Sequence, residues 1–236
     1  MAALGWRMRM LAARVRRRAD QRGAAFDREA LVRRHAAGHT FCDVGCMWKV
    51  SGRIAFVAEE AGASAVTGVD VLPATPEFDA ERARRNSAVR FVHGDVNDAA
   101  TVAEVGPHEV VWCSGVLYHA PNPVQTLARL RELTTELLIL QTVVIPELPG
   151  VAQGMVFYPG LSEREKRLYQ RWGLSAARGL RDPVSPEGEV SYEPWWWGFS
   201  RSSLRAMLRS AGFEPVEEIG DPFGVHVLAR PRAASS

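Results

Sequence analysis

Between residues 40 and 144, short apolar runs alternate with longer stretches in which apolar residues recur at helical spacing. The runs 40–44, 65–71, 90–94, 109–114 and 137–144 are rich in Val, Ile, Leu or Phe and are followed by turn or polar residues, which predicts β-strands. The stretches 52–62, 76–86, 99–105 and 123–134 predict helices, the last with Asn122 as N-cap ahead of Pro123 at the first helical position. Such alternation implies an α/β architecture: a doubly wound, mostly parallel sheet, covered on both faces and joined by right-handed crossovers.

After Val144 the rhythm breaks. Pro146, Pro149, Pro159, Pro183, Pro186 and Pro194 interrupt the chain, with one amphipathic helical piece at 162–172, so 146–198 reads as an insertion able to form a cap or lid. A helix at 200–211 closed by Gly212, then strands at 215–219 and 225–229, bring the sheet to seven strands. Residues 233–236 read as a frayed tail.

The 236 residues suffice for one substantial core, and 47% hydrophobic with 24% charged residues is ordinary for a globular protein. Net charge is only +2, but ten arginines against three acids place about +7 in the first 35 residues. The organisation is therefore a basic helical segment, 1–38, followed by one domain, 39–236. Leu4, Met8, Leu11 and Val15 recur at helical intervals among those arginines, which fits an amphipathic helix packed over the ligand crevice. Arginine clustering also fits RNA phosphate or an anionic membrane surface. No apolar stretch reaches bilayer length and arginines interrupt any signal-peptide core, so a cytoplasmic protein is expected. Cys42, Cys46 and Cys113 lack zinc spacing and read as reduced structural thiols; no metal is expected.

The chemistry concentrates at strand ends. Asp43-Val44-Gly45-Cys46 closes the first strand and Asp70 the second. In a doubly wound sheet the ligand lies beyond the carboxyl ends of the strands, so an acid, a glycine turn and a distant second acid suggest a nucleoside-binding crevice. A carboxylate accepts two hydrogen bonds from vicinal hydroxyls, and a turn without side chains admits the ligand to the backbone. The Gly-x-Gly-x-x-Gly fingerprint, the P-loop ending and the Gly-x-Ser-x-Gly elbow are all missing, which disfavours hydride transfer, phosphoryl transfer and Ser-based hydrolysis.

From about residue 40 to 229 the order of these elements resembles the class I S-adenosylmethionine-dependent methyltransferases, whose Rossmann-like fold the resemblance implies. It places Asp43 and Gly45 in the cofactor turn, Asp70 on the ribose hydroxyls, and Asp95 of Gly94-Asp95-Val96 beside the adenine. Cys46, Val71, Val96 and Ser114 complete the implied cofactor set. The run Cys113-Ser114-Gly115-Val116-Leu117-Tyr118-His119, then Asn122-Pro123, then Leu138-Ile139-Leu140-Gln141-Thr142-Val143-Val144, resembles the enzymes that carboxymethylate the tRNA wobble uridine. So does the aromatic segment Trp195-Trp196-Trp197-Gly198-Phe199 before the last helix.

One departure stands out: Met47 and Lys49 occupy places where the family has glycines. A Met side chain turned into the sheet leaves the turn usable. Lys49 either pairs with the carboxylate of the ligand's methionine portion or is a solvated surface residue.

Methyl transfer asks mainly for alignment and exclusion of water, with an optional base. His119 is the base candidate and Tyr118 its neighbour, each with a structural alternative, hydrogen bonding for one and packing for the other. Trp195, Trp196 and Trp197 cannot all face one core, so with Tyr158 they are expected to wall the acceptor pocket or staple the lid to the sheet. Tyr169, Trp172 and Tyr192 add to an aromatic cap. These readings favour methyl transfer from S-adenosyl-L-methionine to a small-molecule acceptor. The rivals are a tRNA-modifying enzyme, which would make nucleic acid a partner, and a non-catalytic Rossmann-like binding protein. An exposed tryptophan also offers an oligomer contact.

Overall fold

The computed structural model describes residues 27–171, 191–221 and 223–233, together with positions 8, 11, 12 and 184. The arginine-rich start, Trp172 and the tail at 234–236 lie outside the described residues, as does the Tyr169 side chain. Met8 and Leu11, the two members of the N-terminal apolar stripe that are described, are both exposed rather than packed over the crevice.

The strands are β1 Thr40–Val44, β2 Ala65–Asp70, β3 Arg90–His93, β4 His108–Ser114, β5 Thr134–Ile145, β6 Met155–Phe157, β7 Trp197–Ser200, β8 Phe213–Asp221 and β9 Gly224–Pro231. The helices are α1 Arg28–Ala36, α2 Arg53–Glu60, α3 Pro76–Arg85, α4 Ala99–Val105, α5 Pro123–Leu133, α6 Glu163–Arg171 and α7 Arg201–Ser210. The main sheet runs β3-β2-β1-β4-β5-β9-β8. β1 to β5 are parallel, and β9 is antiparallel to both neighbours. The expected seven strands form this sheet. Beyond it, Val144 and Ile145 at the far end of β5 pair with β7, which carries antiparallel β6, so the open sheet has nine strands among the described residues. The two additions belong to the insertion, where strands of three and four residues are too short to show alternation.

Helices form where caps and apolar faces coincide. Thr75 accepts the Phe78 amide ahead of Pro76, Asn122 accepts the Gln125 amide ahead of Pro123, and Ser200 accepts the Ser203 amide. Strand residues alternate between two cores. Val110 and Trp112 of β4 face Leu31, Phe56 and Phe78 of α1 to α3, while Val111 and Cys113 face Val102, Leu127 and Leu204 of α4, α5 and α7.

The register aligns the chemistry. Val44 pairs with Val69 on one side and Cys113 on the other, Asp70 pairs with His93, and Ser114 with Gln141. The carboxyl ends of β1 to β5 therefore open on one rim, and the strand order reverses at β1. No helix among the described residues is long and apolar enough to cross a membrane.

Candidate functional site

At that rim lies a cavity of about 730 Å³. Asp43, Gly45, Lys49, Asp70, Val71, Asp95, Val96, Ser114, Tyr118 and His119 all line it, brought from the ends of four different strands and the loops after them.

The turn after β1 is built around Gly45, whose φ is +81° and where a Cβ would come within 2.5 Å of Val116 Cγ2. Only glycine fits. Asp70, itself buried, braces the turn: its Oδ2 accepts the Met47 amide at 2.7 Å and its Oδ1 the Leu72 amide at 2.8 Å. Each oxygen keeps a second lone pair. Met47 turns its side chain into the core beside Phe56 and Phe78 and is 1% exposed, so the missing glycine does not block the turn. Lys49 takes the left-handed backbone of a glycine, with φ +59°, and its Nζ lies 5.4 Å from the centroid of the exposed Trp48 ring.

Asp43 is buried at the end of β1, and its Oδ2 has no hydrogen-bond partner among the described residues. Burial pushes its carboxyl up to about 7; the Ala55 amide in the first turn of α2 opposes this shift and the nearby Asp70 adds to it. Gly52, the N-cap of α2, offers no side chain, and it is the Asp43 carboxyl that feels the Ala55 amide at this helix start.

Asp95 is more fully engaged. Its Oδ1 accepts both the backbone N–H of Asn97, at 2.8 Å, and its Nδ2, at 2.9 Å, while Oδ2 accepts the Tyr192 hydroxyl at 2.5 Å. The hydroxyl of Thr126, on α5, donates to Asn97 Oδ1 at 2.8 Å and fixes the orientation of that amide. Ser114 donates to Gln141 Oε1 at 3.0 Å, joining β4 to β5 at the rim.

The segment 191–197 crosses the loop after β4. The Trp196 amide donates to the Tyr118 carbonyl at 2.8 Å, His119 Nδ1 to the Pro194 carbonyl at 2.9 Å, and Trp197 Nε1 to the Pro121 carbonyl at 3.1 Å. A carbonyl only accepts, so Nδ1 of His119 carries the proton and Nε2 holds the lone pair. Burial pushes this imidazole below its ordinary value, against the backbone of Pro194, Tyr192 and Glu193. The Tyr118 ring lies 4.3 Å from that of His119 and edge-on to Trp195 at 5.1 Å; burial raises its phenol.

Five expected site residues lie off the cavity wall. Cys46 turns inward, its Sγ in the position that keeps residue 68 a glycine, and burial raises its thiol. Trp195, Trp196, Trp197 and Tyr158 stand behind the wall rather than in it. Trp195 packs on Tyr118 and Tyr158, and Phe157 packs on Trp196 and Trp197. Packed on other aromatic rings in this way, the three adjacent indoles suit stapling better than lining. Conversely, the cavity takes Arg28, Trp48, Leu72, Asn97, Gln141 and Tyr192, which sequence reasoning did not assign to it. Tyr192 was legible only as one more aromatic of the cap, since its partner is 97 residues away. Among the described residues no group of His, Cys, Asp or Glu is placed to hold a metal ion.

Comparison with known proteins adds a family match. Residues 42–136 match the model of a methyltransferase domain. No curated protein matches the chain. Solved structures share the fold. A 1,6-didemethyltoxoflavin N1-methyltransferase of Burkholderia thailandensis, with 1,6-didemethyltoxoflavin and S-adenosylhomocysteine bound, is 19% identical. It aligns over 87% of this chain and 76% of its own, with a TM-score of 0.57. A magnesium protoporphyrin IX methyltransferase of Synechocystis PCC 6803, with S-adenosylhomocysteine bound, is 18% identical over 86% of this chain and 78% of its own, TM-score 0.51. The [4+2]-cyclase SpnF, 16% identical over 87% of this chain and 80% of its own, TM-score 0.56, carries the same fold and is named for a different activity.

Proposed function

We propose that this chain is an S-adenosylmethionine-dependent methyltransferase acting on a small-molecule acceptor. The observation that carries the reading is the convergence of Asp43, Gly45, Asp70 and Asp95 on one cavity at the point where strand order reverses. The methyltransferase-domain match over residues 42–136 and the fold shared with methyltransferases support it.

The residues present fit the cofactor. A buried carboxylate oxygen of Asp43 without a partner among the described residues, the spare lone pairs of Asp70 and a turn closed to any Cβ at Gly45 form a cradle rich in acceptors and open to backbone approach. Asp70 would hold the ribose, Asp95 the adenine end, and Asp43 and Lys49 the amino-acid end. The bound cofactor supplies an electrophilic methyl group. The chain's own part is then to hold the acceptor in line and keep water out, which the wall of Tyr118, His119 and Glu193 suits. His119 is the group that takes a proton from an acceptor needing one, at Nε2, because Nδ1 is committed to Pro194. Ser114 and Gln141 offer a hydroxyl and an amide on the β4–β5 side to orient it.

A small acceptor is favoured over tRNA because the cavity is bounded by the cap as well as by the sheet. The two methyltransferase neighbours are named for small molecules. Calorimetric titration with S-adenosylhomocysteine, the demethylated cofactor, tests the cofactor half; incubation with methyl-labelled cofactor and a panel of heteroaromatic acceptors, with bulk tRNA alongside, tests the other.

A further inference from the structure

At the adenine end of the cavity, hydrogen-bonding capacity is nearly used up by the protein itself, and what is left has a definite shape. Asp95 Oδ1 receives two donors, the backbone and side-chain N–H groups of Asn97. Oδ2 receives one, the Tyr192 hydroxyl. The Asn97 amide also faces the phenol oxygen of Tyr192. Counting lone pairs among the described residues, one acceptor position remains on Asp95 Oδ2 and one on Tyr192 Oη, and the polar hydrogens of this cluster point at one another. Both residues line the cavity.

We propose that Tyr192, reaching in from the cap, is a specificity-determining residue for the cofactor base, forming with Asp95 a paired acceptor that selects a ligand bearing an exocyclic amine over one bearing a carbonyl at that place. This rests on the cofactor reading above. A primary amine has two N–H groups for the two remaining positions, whereas a carbonyl oxygen would meet only lone pairs and leave both unpaired. Burial and the Asp95 carboxylate push the Tyr192 phenol up to about 12, so at neutral pH it stays protonated, donates to Asp95 and keeps its oxygen for accepting. The geometry is held from both sides. Asn97 is fixed by Thr126, and the segment that carries Tyr192 is pinned by the Trp196 amide on Tyr118 and by His119 on Pro194.

The test is calorimetric binding of S-adenosylhomocysteine and of S-inosylhomocysteine, in which a carbonyl replaces the amine and the adjacent ring nitrogen changes from acceptor to N–H donor, to the full chain and to Tyr192→Phe, the comparison between the two proteins isolating the part that depends on Tyr192. Wild type is expected to prefer the adenosyl ligand by about tenfold or more. Tyr192→Phe should narrow that preference several-fold, through weaker adenosyl binding, while the ligand-free thermal midpoint stays close to wild type. Asp95→Asn, which replaces an acceptor by a donor, should narrow it as well. An unchanged preference in Tyr192→Phe, whether both affinities hold or both fall together, overturns the proposal and leaves Tyr192 a wall residue only. Binding of neither ligand by wild type overturns the cofactor reading itself, and this inference with it.

Discussion

Asp70 holds the Met47 amide at 2.7 Å, so the end of β2 braces the turn that follows β1. The same carboxylate holds the Leu72 amide, and this double duty explains how the turn keeps its path without the usual run of glycines. Replacing Asp70 by Ala leaves two amides without partners beside the cavity. The expected cost is about 2 kcal/mol of stability, since water reaching the rim relieves part of it, and at least a tenfold loss of S-adenosylhomocysteine affinity. Urea unfolding and calorimetry read the two effects separately; an unchanged affinity removes Asp70 from the cofactor site.

Two substitutions in that turn should move stability in opposite directions. Gly45→Ala meets both a left-handed backbone and a contact of 2.5 Å with Val116, and should destabilise by about 2 kcal/mol or more. Lys49→Gly removes a side chain from φ +59° on an exposed turn, and should stabilise by up to about 1 kcal/mol. Chemical denaturation of both variants checks the pair of signs.

Asp43 carries a pH signature. Its carboxyl rises from the ordinary 3.8 to about 7 in the fold, so between those values the folded state holds a proton that the unfolded chain releases. Stability is therefore lost as pH rises through this window. Asp43→Asn, which removes the titration and keeps an acceptor for the Ala55 amide, should match wild type near pH 4 and become the more stable of the two by pH 8. Urea midpoints at pH 4, 6 and 8 test this; a constant offset would place the Asp43 carboxyl at its ordinary value.

His119 is expected to act through Nε2 and to anchor the cap through Nδ1. Asn at this position reproduces a donor near Nδ1 and has no base. His119→Asn should retain S-adenosylhomocysteine affinity within about twofold yet slow transfer to an acceptor that must lose a proton by roughly a hundredfold or more. Because burial lowers the imidazole below 6.5, the wild-type rate should hold at neutral pH and fall only below that value, and the variant should lack this acid limb. An acid limb that survives in the variant assigns it to another group.

Much of this molecule was legible in the sequence because its signals are local. The helix at residues 99–105 was legible to its ends, and that at 123–133 to within one residue from Asn122 and Pro123. Asp43, Gly45, Asp70 and Asp95 could be placed on one rim because each lies within two residues of the end of a parallel strand. The aromatic cap was not legible in the same way. Whether Trp195, Trp196 and Trp197 face a cavity or back it depends on β7 pairing with the last two residues of β5, and on Tyr158 and Phe157 arriving from β6 and its turn. Tyr192 was missed as a site residue for the same reason: nothing near it in the chain predicts a bond to Asp95.

The account stands on whether this cavity holds the cofactor, and calorimetric titration of the full chain with S-adenosylmethionine and S-adenosylhomocysteine measures that directly. Saturable binding of both with a stoichiometry near one, weakened at least tenfold by Asp70→Ala, is the predicted result. Failure of the folded protein to bind either would contradict it and leave the fold as a recognition scaffold for some other ligand.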